Sequence, residues 1–143
     1  MIANKLWEFP VPSSSMHSGN VKMVYPGDVL LLFDYFDEAK GAVFNSGIFF
    51  NGVQALRHTC DEFIMSGAVN ADLVSQAHGW IVEYPDSGWV EYFRKLDRKI
   101  ADYWGIRHFG IYLDSIGFYE FLATSFQILD TQEGSMDGYS IPQ

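Results

Sequence analysis

Segments dense in apolar and aromatic side chains alternate with short polar turns from residue 29 onward. Three such segments are predicted as strands, at residues 29–36, 42–50 and 53–59. The polar run 37–41 reverses the chain after the first strand. Asn51-Gly52 reverses it after the second, because both residues tolerate the positive φ of a two-residue type I′ turn. The pattern therefore predicts an antiparallel three-strand meander.

The second half of the chain contains one long helical pattern. Residues 79–84 (GWIVEY) indicate a strand, and Asp86 or Ser87 can cap the helix that follows, since either side chain accepts from an unpaired backbone amide. Apolar residues then recur at three- and four-residue steps, at Val90, Phe93, Leu96, Ile100 and Tyr103. This spacing predicts one helix over residues 89–104 with a single apolar stripe, ended by Gly105.

A last hairpin is predicted after the helix. Residues 107–113 and 118–129 are apolar segments on either side of a turn at 114–117. The order of strands, helix and strands predicts an α+β fold. Its centre is a mainly antiparallel sheet of about five or six strands, with one long helix packed on it.

The length of the chain fits a single domain over residues 1–143. Within it, the Pro-, Ser- and Gly-rich loop 10–20 and the polar tail 131–143 are predicted to be flexible. The apolar run 29–33 is far shorter than the ~20 residues of a membrane-spanning helix. Cys60 is the only cysteine, so no internal disulfide can form. With no signal-like N-terminus, these features predict a cytoplasmic protein.

The charge balance changes what partners are expected. The chain has 18 Asp and Glu against 9 Lys and Arg, a net charge of −9, on a body in which 17% of residues are aromatic. Four of the nine cations lie together, at Arg94, Lys95, Arg98 and Lys99. Such a field repels nucleic acid and anionic membranes and attracts basic partners. Neither nucleic acid nor membrane is therefore expected as a partner.

The histidines and the cysteine offer the main enzymatic alternative. His58 and Cys60 lie two residues apart and would share one face of a strand. With His78 or His108 they could supply three metal ligands, or a thiol with a base. The chain has no CxxC or HxxxH pair, and Asp61 and Glu62 disfavour a thiolate. We predict no metal, no cofactor and no catalytic residue.

The acidic residues at the strand ends suggest a docking surface. In a three-strand meander, the turn after the first strand and the exit of the third strand lie at the same end of the sheet. That end would gather Asp37, Glu38, Asp61 and Glu62, with Lys40 as the nearby cation. Carboxylates without metal-like spacing suit Lys and Arg side chains of a protein partner. The simpler alternative is that these residues form an ordinary polar end of a sheet.

Three blocks of the chain resemble a known kind of protein. They are FFNGVQALRHTC (residues 49–60), DSGWV (residues 86–90) and RHFGIYLDSIGFYEFLA (residues 107–123). These blocks are similar to small bacterial immunity proteins, which neutralise polymorphic toxins of competing bacteria. The resemblance covers under half of the chain and carries no catalytic motif. It implies a cytoplasmic antitoxin that binds and blocks a cognate toxin, and an acidic chain suits toxins that are basic.

Three hypotheses follow from the sequence. The first is an acidic immunity-type protein that inhibits a cognate toxin by direct binding, with no catalysis of its own. The second is a small enzyme that uses Cys60, or a His–carboxylate pair in a cleft. The third is a non-catalytic scaffold subunit whose acidity serves solubility.

Overall fold

The computed structural model describes residues 2–16, 21–24 and 28–136. The strands are β1 (Asn4–Glu8), β2 (Val21–Val24), β3 (Val29–Asp37), β4 (Ala42–Asn51), β5 (Ala55–Thr59), β6 (Trp80–Glu83), β7 (Arg107–Leu113), β8 (Gly117–Ala123), β9 (Ser125–Ile128) and β10 (Gln132–Glu133). The helices are α1 (Asp61–Met65), α2 (Ala71–Gln76), α3 (Gly88–Leu96) and α4 (Arg98–Trp104), with a 3-10 turn at Ser13–Ser15.

The strands form two antiparallel sheets. Sheet I has the order β1-β6-β7-β8-β5, and sheet II has the order β10-β4-β3-β2, with β9 also paired to β4. One core of buried side chains draws on both sheets. The rings of Phe50 on β4 and Phe121 on β8 stack across it at 4.0 Å between centroids. The fold is therefore α+β, with two packed sheets where one sheet was predicted.

The predicted meander is wrong at its third strand. β3 and β4 form the expected hairpin, but β5 leaves their sheet and pairs with β8 in sheet I. A type I′ turn needs a positive φ at both residues, but of Asn51 and Gly52 only Gly52 has one (62°), so this turn does not form. The Gly52 amide donates to Asp28 (2.8 Å), and the chain crosses from one sheet to the other. Residues 118–129 likewise divide, into β8 in sheet I and β9 in sheet II.

The predicted single helix is also wrong, because it breaks at Asp97. This residue has extended backbone angles (φ −158°, ψ 98°), and its carboxylate accepts from the Ile100 amide to cap α4. Ser87 caps α3 in the same way, through the Val90 amide, as the sequence predicts. Gly105, in a left-handed conformation, ends α4. The long helix is thus two short ones of nine and seven residues.

Both segments predicted to be flexible contain packed residues. Ser13 and Met16 are buried in the first, and Met136 is buried in the second. Residues 17–20 and 137–143 lie outside the described residues, so flexibility there stays a prediction. In the described ranges, no helix is long and apolar enough to cross a membrane.

Candidate functional site

The two predicted acidic pairs lie on different sheets. Asp37 and Glu38 occupy the hairpin between β3 and β4 of sheet II, where the Asp37 carboxylate accepts from the Lys40 amide (3.1 Å). Asp61 and Glu62 begin α1, which follows β5 of sheet I. The meander that was expected to join these pairs is therefore absent. Each pair lies beside an exposed aromatic residue, Phe36 in the first case and Phe63 in the second.

Asp61 is joined to an acidic cleft at the β7–β8 end of sheet I. Its carboxylate accepts from the Tyr112 hydroxyl at 2.9 Å. The Tyr112 ring contacts His78 edge-on, with ring centroids 5.5 Å apart. The His78 Nε2 lies 3.1 Å from a carboxylate oxygen of Asp114, which is in the β7–β8 turn. A continuous chain of contacts thus runs from Asp61 to Asp114.

Backbone bonds hold the walls of this cleft in place. The Gly79 amide donates to the Tyr112 carbonyl (3.1 Å), and the Phe9 amide donates to the Gly79 carbonyl (3.0 Å). The cleft has a volume of about 320 Å³ and is lined by Glu8, Phe9, Pro10, Val11, Pro12, Ser13, Ser14, His78, Gly79, Trp80 and Asp114. The Lys5 ammonium lies over the Trp80 ring at 5.1 Å, so one cation partly offsets the carboxylates.

Ser13, His78 and Asp114 form a closed cluster within the cleft. The Ser13 hydroxyl donates to Asp114 (2.8 Å), and His78 Nε2 approaches both the Ser13 oxygen and Asp114 at 3.1 Å. A carboxylate only accepts, so Nε2 must carry the proton. That nitrogen cannot act as a base towards Ser13, and the cluster lacks the geometry of a nucleophile activated by histidine.

The pKa values of Asp114 in the cleft and of Tyr112 beside it are both displaced. Burial raises the pKa of the Asp114 carboxyl, but hydrogen bonds from Ser13 and His78 outweigh it and hold that pKa below its ordinary value. Burial, the hydrogen bond to Asp61 and the charges of Asp61 and Asp114 together raise the pKa of Tyr112 to about 12. At neutral pH the phenol therefore stays protonated and donates to Asp61.

Cys60 lies at the start of α1, next to Asp61 and Glu62. The pKa of the Glu62 carboxyl lies below its ordinary value, because this carboxyl accepts hydrogen bonds from the Glu62 backbone and from the Cys60 thiol. The thiol thus donates to the Glu62 carboxylate. His58 Nε2 bonds to the Ile116 carbonyl at 2.7 Å, and no imidazole among the described residues is recorded in contact with the thiol. The described ranges also hold no group of three or more metal-ligating side chains.

A second polar cluster, buried except for Arg57, lies where α3 meets sheet I. The Ser87 hydroxyl lies 2.7 Å from His108 Nδ1, and His108 Nε2 lies 2.9 Å from Glu120. Arg57 closes the series with two bonds to the Glu120 carboxylate, at 2.7 and 2.9 Å. The guanidinium also covers the Trp89 ring at 4.0 Å. The four polar side chains come from β5, β7, β8 and the start of α3.

The order hydroxyl, imidazole and carboxylate matches a catalytic triad, but here the hydroxyl is buried and caps a helix. Ser87 is 4% exposed, and its oxygen already accepts from the Val90 amide as the helix cap. His108 Nδ1 bonds to the Ser87 oxygen and His108 Nε2 bonds to Glu120, so every group has a partner. This cluster fastens the start of α3 to sheet I.

Comparison of the chain with protein-family models, with curated proteins and with solved structures found no match. The geometry of the described residues is therefore the basis for any functional assignment. The sequence analysis missed the cleft because Ser13, His78 and Asp114 are 65 and 36 residues apart and share no local pattern.

Proposed function

We propose that this chain is an immunity-type protein, which binds a basic bacterial toxin domain and blocks it by occlusion. The observation that carries the proposal is the open cleft at the β7–β8 end of sheet I, which the carboxylates of Glu8 and Asp114 line. Asp61 is joined to it through Tyr112 and His78, and Glu62 follows Asp61 at the start of α1. It is a binding function with no catalytic step, since the Ser13 hydroxyl donates to Asp114 and the Ser87 hydroxyl is buried and caps α3.

The chemistry of the cleft suits a cationic side chain. A Lys or Arg of the partner would meet the carboxyl groups of Asp114 and Glu8, with the Trp80 ring on the cleft wall. Exposed Phe63, beside Asp61 and Glu62, supplies an apolar contact next to the acidic one. Interfaces commonly combine a charged rim, which sets the association rate, with aromatic anchors, which slow dissociation.

The test measures association kinetics with a purified toxin domain encoded by the neighbouring gene, at low and at high salt. We expect the Glu8→Lys/Glu62→Lys variant to associate roughly tenfold or more slowly at low salt, and to lose most of the salt dependence. Both side chains are exposed, so the fold should be retained. Neutralisation of the toxin's toxicity in co-expressing cells gives a second readout.

The matched control is Asp130→Lys/Glu133→Lys, which makes the same change in charge on exposed positions of sheet II and its edge. It should associate at nearly the wild-type rate. Asp37→Lys/Glu38→Lys should have a smaller effect than the cleft variant, because that hairpin lies on sheet II. Equal slowing by all three variants would show that only net charge matters and that the cleft is not the binding site.

A further inference from the structure

A second cavity, of about 250 Å³, lies where β5 and β8 of sheet I meet the segment that leads into α2. Arg57 and Thr59 of β5 line it on one side, and their register partners on β8, Glu120 and Phe118, line it on the other. Side chains of residues 68–73 form the remaining wall. The ion pair of Arg57 with Glu120 therefore borders a cavity.

Arg57 is held by one edge of its guanidinium and is free at the other edge. Its Nε and Nη2 donate to the two Glu120 oxygens, at 2.7 and 2.9 Å, and the guanidinium carbon lies 4.0 Å from the centre of the Trp89 ring. Glu120 is 1% exposed, whereas the Arg57 side chain is 48% exposed. The Nη1 donors make no hydrogen bond within the described residues. A planar fork that is already fixed in place suits the two oxygens of a planar anion.

The other open polar groups of the cavity can also donate. The Asn70 oxygen accepts from the Asp72 amide at 2.9 Å and so caps α2, which leaves the NH2 group of Asn70 open. The Thr59 hydroxyl makes no hydrogen bond to any of the described residues. Both Glu120 oxygens already accept hydrogen bonds. The lining residues therefore offer several donors to an anion and no open carboxylate to a cation.

The size, apolar surface and charge of the cavity select the kind of anion. Val69, Leu73 and Phe118 add apolar surface beside the donors, which suits an anion with a hydrocarbon chain. A volume of about 250 Å³ equals that of roughly eight water molecules at ~30 Å³ each, so the ligand is small. Glu120 offsets the charge of Arg57 in a chain that carries −9, and this favours a singly charged carboxylate over a phosphate.

We propose that this cavity binds a free short-chain monocarboxylate. Its two oxygens accept from the free edge of Arg57, with Thr59 and Asn70 as further donors. Its hydrocarbon chain lies against Leu73 and Phe118. The site is independent of the proposed function, because the cavity and the acidic cleft share no lining residue.

An NMR titration of the isotope-labelled full chain with sodium butyrate, at constant ionic strength, tests the proposal. We expect saturable shifts of the amide signals of β5, β8 and residues 68–73, with a Kd of about 1 mM or tighter. Acetate, which is shorter by two methylene groups, should bind roughly tenfold more weakly. Butyramide, which is neutral, and inorganic phosphate should not displace butyrate.

Two variants change the cavity without removing the ion pair. Asn70→Asp keeps the oxygen that caps α2 and replaces the open donor by a carboxylate, so it should weaken butyrate binding by roughly tenfold or more. Thr59→Val removes only the hydroxyl and should weaken binding by roughly threefold to tenfold. The control is Asn4→Asp, which makes the same change in charge at an exposed position of β1 and should bind like the wild type.

Three results would overturn the proposal. The first is the absence of saturable shifts up to about 20 mM butyrate. The second is equal weakening by Asn70→Asp and Asn4→Asp, which would show that only the net charge matters. The third is a set of shifts confined to the cations of residues 94–99, which would place the anion on surface charge instead of in the cavity.

Discussion

Gly110 on β7 lies against the ring of Tyr84, and this contact leaves no room for a side chain. A Cβ at Gly110 would approach the ring atoms to 2.6–3.1 Å. Tyr84 is 1% exposed, and its hydroxyl donates to the Leu73 carbonyl at 2.6 Å, so the ring cannot easily move. We expect Gly110→Ala to lower the free energy of unfolding by about 1–3 kcal/mol in urea denaturation.

Gly88→Ala is the matched control, because no atom lies within 4 Å of a Cβ placed there. Its effect should stay within about 0.5 kcal/mol. If Gly110→Ala changes the free energy of unfolding as little as Gly88→Ala does, the Tyr84 ring does not lie against β7 at Gly110.

The buried carboxyl of Glu120 should make the free energy of unfolding depend on pH in the acidic range. Burial raises the pKa of its carboxyl, but the hydrogen bonds and charges of His108 and Arg57 outweigh burial and hold the pKa below the ordinary 4.5. A lowered folded-state pKa stabilises the fold fully above pH 4.5, and this contribution is lost as the pH falls through the folded-state value. We expect Glu120→Gln to cost about 1–3 kcal/mol at neutral pH.

The pH profile separates this charge effect from a packing defect. The difference in unfolding free energy between wild type and Glu120→Gln should shrink as the pH falls below 4.5. A difference that stays constant from neutral to acidic pH would show that the loss comes from packing and not from the ionised carboxylate.

At the scale of elements, the two halves of the predicted stripe should respond differently to truncation. Val90 is 8% exposed and packs in the cluster between α3 and sheet I, so Val90→Ala should cost about 1.5–3 kcal/mol. Ile100 is mostly exposed, so Ile100→Ala should lower the free energy of unfolding by no more than about 0.5 kcal/mol. Thermal unfolding at one low protein concentration measures both. Equal losses would mean that one continuous helix packs on the sheet.

The elements could be predicted where local pattern determines them, and not where distant contacts do. The apolar runs that became β3, β4 and β7 were placed nearly to the residue, because alternation and turn residues are local signals. The pairing of β5 with β8 was not predicted, since the same apolar strand fits beside β4 or beside β8. The break at Asp97 was not predicted, because the apolar stripe across it favoured a continuous helix.

At the scale of the whole molecule, the net charge of −9 should make stability depend on salt. Like charges repel each other more in the compact state than in the unfolded chain, and salt screens that repulsion. We expect the melting temperature to rise with added NaCl. Asp130→Lys/Glu133→Lys, which moves the net charge by +4 to −5 at exposed positions, should melt higher than wild type at low salt and respond less to NaCl. The opposing effect comes from ion pairs such as Arg57–Glu120 and Arg107–Glu83, which salt weakens. A melting temperature that falls with salt in both proteins would show that these pairs outweigh the repulsion. The net negative charge would then not destabilise the fold.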